Sequence, residues 1–188
     1  MKRRLLHERS VHCDGYLRDD GLWEIEARLL DTKAFEYIHP FRGDMRAGDA
    51  AHDMTLSLTV DDDLSIVSIK ATMDAVPMLA CQDVRSQLQK LKGVKLGQGW
   101  RKEVARRIGR TENCTHIMGL MTTAVTTLYQ TIGMGKKPDG QHALSEASKE
   151  LARPFFVDGC HGWRADGSAV SELFPQWYVE PDTASEIS

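Results

Sequence analysis

His52, Asp53, Cys81, Cys114 and His116 are the residues in the middle of this chain whose side chains can hold a metal or move a proton. They fall at the ends of expected elements, where groups distant in sequence can meet in one place. Cys81 and Cys114 each open an expected helix, and the positive end of a helix favours a thiolate over a thiol. Asp53, one residue into an expected strand, adds a hard oxygen ligand or a base. His52 points to the opposite face wherever that strand is already regular. Cys81, Cys114, Asp53 and His52 together make a donor set for a divalent metal, zinc first among them. Such a metal would polarise a carbonyl or acidify a hydroxyl. Without it, Asp53, His52 and His116 would do acid/base work at neutral pH, with His7, His12 or His161 carrying the proton. The competing reading is that both cysteines are small buried core residues, a common role for a free thiol.

The flanks supply candidates for holding a substrate. Arg9 and Arg18 would neutralise a carboxylate or phenolate, and Tyr16, Trp23 and Trp163 would wall a pocket for a small organic molecule. Each has a simpler role. Arg9, Arg18, Asp19 and Asp20 can form a solvated ion-pair face, His7 and His12 can be surface histidines, and the tryptophans can be packing. The net charge of -3 leaves no basic footprint for nucleic acid. No apolar run reaches the length of about 18 residues that a membrane span needs. The expected partner is therefore a small molecule, with a homo-oligomer open and a cytoplasmic location by default. The cysteines lack any CxxC spacing and are expected to stay reduced.

The elements that must position these groups follow from hydrophobic period. Leu22 to Leu30 alternates, with Trp23, Ile25, Ala27 and Leu29 on one side and Glu24, Glu26 and Arg28 on the other, a strand with one wet face. Residues 38–49, with Pro40, Gly43 and Gly48, read as a loop. Met54, Leu56, Leu58 and Val60 alternate, and Asp61-Asp62-Asp63 turns the chain into Ser65–Met73, giving a hairpin. Helices are expected from Cys81 to a stop at Gly93, from about Trp100 to Ile108, from about Cys114 to Ile132, and from Leu144 to Leu151. The tail is expected to form a hairpin around Asp166-Gly167. Strands first and helices later predict an α+β protein, a small antiparallel sheet packed against C-terminal helices. We read the 188 residues as one domain, with a core over 51–133 and extensions over 1–50 and 134–188. A chain of this length hides about 70% of its unfolded surface.

The segments HDMTLSLTVDDD and LSIVSIKATMDAVPMLAC, then KGVKL and RTENCTHIMGLMTTAV, resemble the core of the iron–sulfur scaffold family of the IscU and SufU type. That resemblance implies a hairpin-based sheet under helices, with Asp53 as the loop aspartate, Cys81 and Cys114 as the second and third cysteines, and Ala51 where the first cysteine stands. Loss of one thiolate argues against cluster delivery and for zinc or metal-free chemistry. The whole chain is more similar to a bacterial family known only as domain of unknown function 2889. RDDGLWEIEARLLDTK, HDMTLSLTVD, Cys81, the GQGW turn, CTHI and DGCHGWRADG carry that likeness, and it implies an association with aromatic-compound catabolism. The combined expectation is a small lyase acting on an aromatic or carboxylated metabolite. The alternative is a metal-binding or sulfur-acceptor scaffold.

Overall fold

The computed structural model describes residues 1–134 and 153–181. Its frame is a four-stranded antiparallel sheet in the order β1-β2-β5-β6, built from β1 (His7–Leu17), β2 (Trp23–Lys33), β5 (Ala50–Val60) and β6 (Ile66–Ala75). A small hairpin, β3 (Tyr37–His39) and β4 (Gly43–Met45), is inserted between β2 and β5. Three short turns of helix cover Leu79–Asp83, Val84–Gln87 (α1) and Leu88–Leu91, and α2 (Trp100–Arg107) and α3 (Thr115–Met134) follow. The α+β expectation holds: the sheet is antiparallel and the helices come after it.

The alternation along β2 and β5 gives the sheet one dry face. Trp23, Ile25, Ala27 and Leu29 from β2 and Met54, Leu56, Leu58 and Val60 from β5 are all buried. They meet Ile117, Leu120, Met121, Ala124 and Leu128 from α3, which lies across β1, β2 and β5. Threonine is a poor residue for a helix interior. The α3 threonines turn their hydroxyls back to the carbonyl four residues earlier, as Thr127 does to Thr123 and Thr131 to Thr127, so those groups are satisfied within the helix. Where α3 crosses β1, a Cβ built on Gly15 would come within 2.0 Å of Thr131 Oγ1, so only glycine permits that approach.

The structure departs from the sequence reading in four places, and the first is the helix expected from Cys81 to Gly93, which is three short turns with Cys81 inside the first of them. Residues 1–20, polar and crowded with ionisable groups, contain the full-length edge strand β1; its cross-strand pairing with β2 supplies the order that its weak hydrophobic pattern does not announce. The loop expected over 38–49 holds the β3–β4 hairpin. The tail forms no hairpin around Asp166-Gly167: the chain makes a short turn at His161–Trp163, and Gly167 leads into a helix, α4 (Ser168–Leu173). Asp158, at φ 61°, organises this tail, accepting a hydrogen bond from Ala165 N at 2.8 Å. The helix expected over Leu144–Leu151 lies outside the described residues.

Candidate functional site

β2 does not end its buried face on Leu29. Two residues further along the same face stands Asp31, with 0% exposure. The cross-strand register puts Arg9 of β1 on one side of it and His52 of β5 on the other, a single row across three strands. Arg9 Nε and Nη2 donate to Asp31 Oδ1 and Oδ2, both at 2.6 Å. His52 Nδ1 lies 3.0 Å from Oδ2, and His7 Nε2, from the same face of β1, lies 3.3 Å from Oδ1. The ladder shifts register just beyond Asp31, so Ala51 is an extra residue on β5. Such a bulge re-aims the side chain beside it.

The fourth wall comes from the first turn of α3. His116 Nε2 reaches to 3.7 Å from Asp31 Oδ2, and its ring lies over that of His52 with centroids 4.0 Å apart. Cys114, just before the helix, places its Sγ 3.8 Å from His116 Nδ1. Asp31, His52 and His116 are, among the described residues, the one group of three such side chains whose ligand atoms all lie within 4.8 Å of one another.

The electrostatics follow from burial and from Arg9. Burial opposes the Asp31 charge, but the Arg9 hydrogen bonds and charge, helped by His52 and His7, outweigh it and hold the carboxyl below its ordinary range. The same pairing raises Arg9. Burial, then the charge of His116, pushes the His52 imidazole below the ordinary histidine value, against the pull of Asp31. Burial, then Arg9, does the same to His116. Both imidazoles are therefore neutral at pH 7 beside an ionised carboxylate. One is a base whose developing positive charge is met in advance.

The centre differs from the donor set expected from the sequence. Of the residues singled out there, His7, Arg9, His52 and His116 meet around Asp31, with Cys114 at its edge. Asp53 does not join them. The pleat turns it to the outer face, where Arg28 donates to both its oxygens at 2.9 and 2.7 Å. Cys81 sits in the turn Leu79–Asp83 after β6, outside the Asp31 group. His12, also on the outer face, pairs with Asp14 at 3.1 Å. Arg18 is held by Asp20 and Glu24, and Tyr16 is exposed. Trp23 is core, its Nε1 donating to Asp62 at 3.0 Å. Trp163 packs between Phe156 and Phe174 in a second apolar cluster, and His161 is exposed in the turn before it. Asp31 itself was missed. Its signal lay in WEIEARLLDTK, an aspartate in step with four apolar residues of a buried face.

A one-layer antiparallel sheet backed by helices, with a buried carboxylate flanked by an arginine and stacked histidines at one end of it, defines the class: an α+β protein with a polar centre built into its core face. The chain belongs to the family described as a protein of unknown function, DUF2889, whose model matches residues 7–130, the span that holds the whole sheet and every residue of this centre. No curated protein and no solved structure matches it. Among the described residues no helix is long and apolar enough to cross a membrane.

Proposed function

We infer that the chain is a small enzyme, a lyase acting on an aromatic or carboxylated metabolite, with His52 as its base and Asp31 as the group that orients and charges that base. The observation that carries this reading is the contact of His52 Nδ1 with a fully buried carboxylate that Arg9 keeps ionised. A histidine anchored through Nδ1 presents Nε2 for proton transfer, and the carboxylate behind it stabilises the imidazolium that forms. In a lyase step His52 takes a proton from a substrate O–H or C–H, a neighbouring bond breaks, and the proton is returned to the departing fragment. No oxidant, reductant or water is consumed. His116, stacked on His52, is placed for the second proton transfer.

The donor set also favours a second, metal-assisted reading. Asp31, His52 and His116 are two imidazoles and a carboxylate, ligands that suit zinc or another divalent cation. A bound cation would supply a Lewis acid at the same place. It would have to share Asp31 with Arg9, whose positive charge opposes it. The sulfur-acceptor alternative receives less support, because Cys114 is the one cysteine beside the centre.

The test is a turnover screen of aromatic and carboxylated metabolites with wild type, His52→Ala and His116→Ala, alongside metal analysis of protein purified without chelator. His52→Ala is expected to lower kcat by a factor of about 10² or more. Because the His52 pKa is depressed, kcat/KM should be flat around pH 7 and fall only below the ordinary histidine value of about 6.5. About one zinc per chain, lost in His52→Ala, would select the metal-assisted form. Turnover untouched by His52→Ala would end the acid/base reading.

A further inference from the structure

The chain leaves β2 two residues after Asp31 and re-enters the sheet in β5 two residues before His52. Everything between is the β3–β4 hairpin and its stems, so the hairpin leaves from the end of the sheet at which the polar centre lies. Its sequence, FEYIHPF, puts rings at every second position: Phe35, Tyr37, His39 and Phe41. Their centroids follow one another at 6.1, 6.3 and 6.1 Å, with planes inclined by 60°, 69° and 51°. Tyr37 and His39 meet edge to face and the other two pairs are tilted, so each contact covers at most one face of one ring and leaves the opposite face free of its neighbour.

A pair of three-residue strands cannot hold itself in water, and part of this ladder serves to brace the hairpin. Bracing does not account for all of it. Phe41 at the turn is 71% exposed and Phe35 at the base is 43% exposed, so neither ring is covered by the fold. The hairpin is also pinned to the centre. Arg42 Nη1 donates to Ala50 O at 2.8 Å and to Ala51 O at 3.4 Å, the carbonyls just ahead of His52, and Gly48 N donates to Lys33 O at 2.9 Å. Phe41 N donates to His39 Nδ1 at 3.2 Å, which ties that ring to the turn. A row of rings exposed at its base and at its turn, and attached to β2 and β5 of the polar centre, is a surface for a flat apolar group.

We propose that the β3–β4 hairpin is the ligand-recognition element of this protein: the exposed ring of Phe41 stacks a planar aromatic ring, Tyr37 and His39 brace Phe41 from behind, and the pinned stems present the ligand's substituent to Asp31, His52 and His116. The proposal rests on the catalytic reading only for what happens next; the binding stands or falls by itself.

The probe pair is 3-phenylpropionate and cyclohexanepropionate, which share a two-methylene chain ending in a carboxylate and differ in a flat against a puckered ring. Binding is followed by saturation-transfer NMR and calorimetry on the full chain. Wild type is expected to prefer the aromatic acid, and the combined Tyr37→Ala and Phe41→Ala variant to bind it about tenfold more weakly. Phe41→Leu keeps apolar bulk without a ring, so it controls for loss of fold; it should weaken the aromatic acid and leave the cyclohexane acid unchanged. Hairpin variants that weaken binding in a protein with no turnover would leave the recognition element standing and remove the lyase. Equal binding of the two acids, no binding of either, or affinity indifferent to both ring variants would overturn the proposal. So would a change of oligomeric state in Phe41→Leu with unchanged affinity, since the rings would then cover a second copy of the chain.

Discussion

Asp31 carries a charge in a place that excludes water, and Arg9 is what allows it. The two partners are unequal: the carboxylate is 1% exposed as a side chain and the guanidinium 45%. Removing either one breaks the same two hydrogen bonds, but the group left behind differs. Arg9→Met strands a buried carboxylate, with its two guanidinium hydrogen bonds gone and its desolvation no longer met by a fixed positive charge. Asp31→Asn leaves an arginine that can turn to solvent. Breaking a buried pair from the side that orphans the charge costs about 3–5 kcal/mol, whereas losing a hydrogen bond to a group that can rehydrate costs about 1–2 kcal/mol. Arg9→Met is therefore expected to be the more destabilising of the two in urea unfolding at pH 7. Because Arg9→Met favours protonated Asp31, its deficit should shrink as the pH is lowered toward 4, whereas the Asp31→Asn deficit should not. Equal losses at both pH values would mean that Asp31 is not held ionised by Arg9.

At the scale of elements, the site exists because β1, β2 and β5 keep one register and α3 lands on them at one height. Gly15 and Thr131 set that height. A methyl group at position 15 must push α3 away, since Thr131 Oγ1 is fixed by its own bond to Thr127 O at 2.9 Å. Gly15→Ala is expected to cost about 1–3 kcal/mol, the usual penalty of overpacking, and Thr131→Ala in the same chain should recover part of it; chemical denaturation of the single and double variants measures both. The same elements show how far the sequence could be read. Strong periods announced β2, β5 and α3, because each buries a full apolar face and its pattern must match its geometry, whereas β6 was announced by the aspartate turn that leads into it. β1 was silent, since a strand at an edge with Cys13 and Gly15 on its inner side is ordered by pairing and not by its own burial. The centre was half legible. Histidines are visible as chemistry wherever they stand, so His7, His52 and His116 were named. Asp53 was favoured over Asp31 because nothing in a linear pattern shows that the buried face of β2 runs on to a charge, or that a pleat and Arg28 take Asp53 to the other side.

Across the whole molecule the described residues hold two apolar clusters of unequal size. The large one lies between the sheet and α3; the small one gathers Val157, Ala165, Val170 and Phe174 with Trp163 and Trp177 around the tail. Phe155 joins them, its ring 4.7 Å from that of Tyr129, which is itself tied to the large core through its hydroxyl on Leu96 O at 2.6 Å. A cluster of four buried residues has little stability to spare, and its Trp177 Nε1 is buried without a hydrogen-bond partner. Emptying its centre with Phe174→Ala removes about 3 kcal/mol of packing, close to all that so small a unit can contribute. Local opening of the tail should result while the sheet stays shut, because proteins open in units of contiguous packing and not residue by residue. Hydrogen exchange on Phe174→Ala is expected to show the amides of Val157, Trp163 and Ala165 losing protection while those of β2 and β5 keep theirs, with 3-phenylpropionate affinity unchanged. Loss of protection in β2 in step with the tail would instead show a single cooperative unit, and would place the Asp31 centre under the control of the C-terminal cluster through the Phe155–Tyr129 contact.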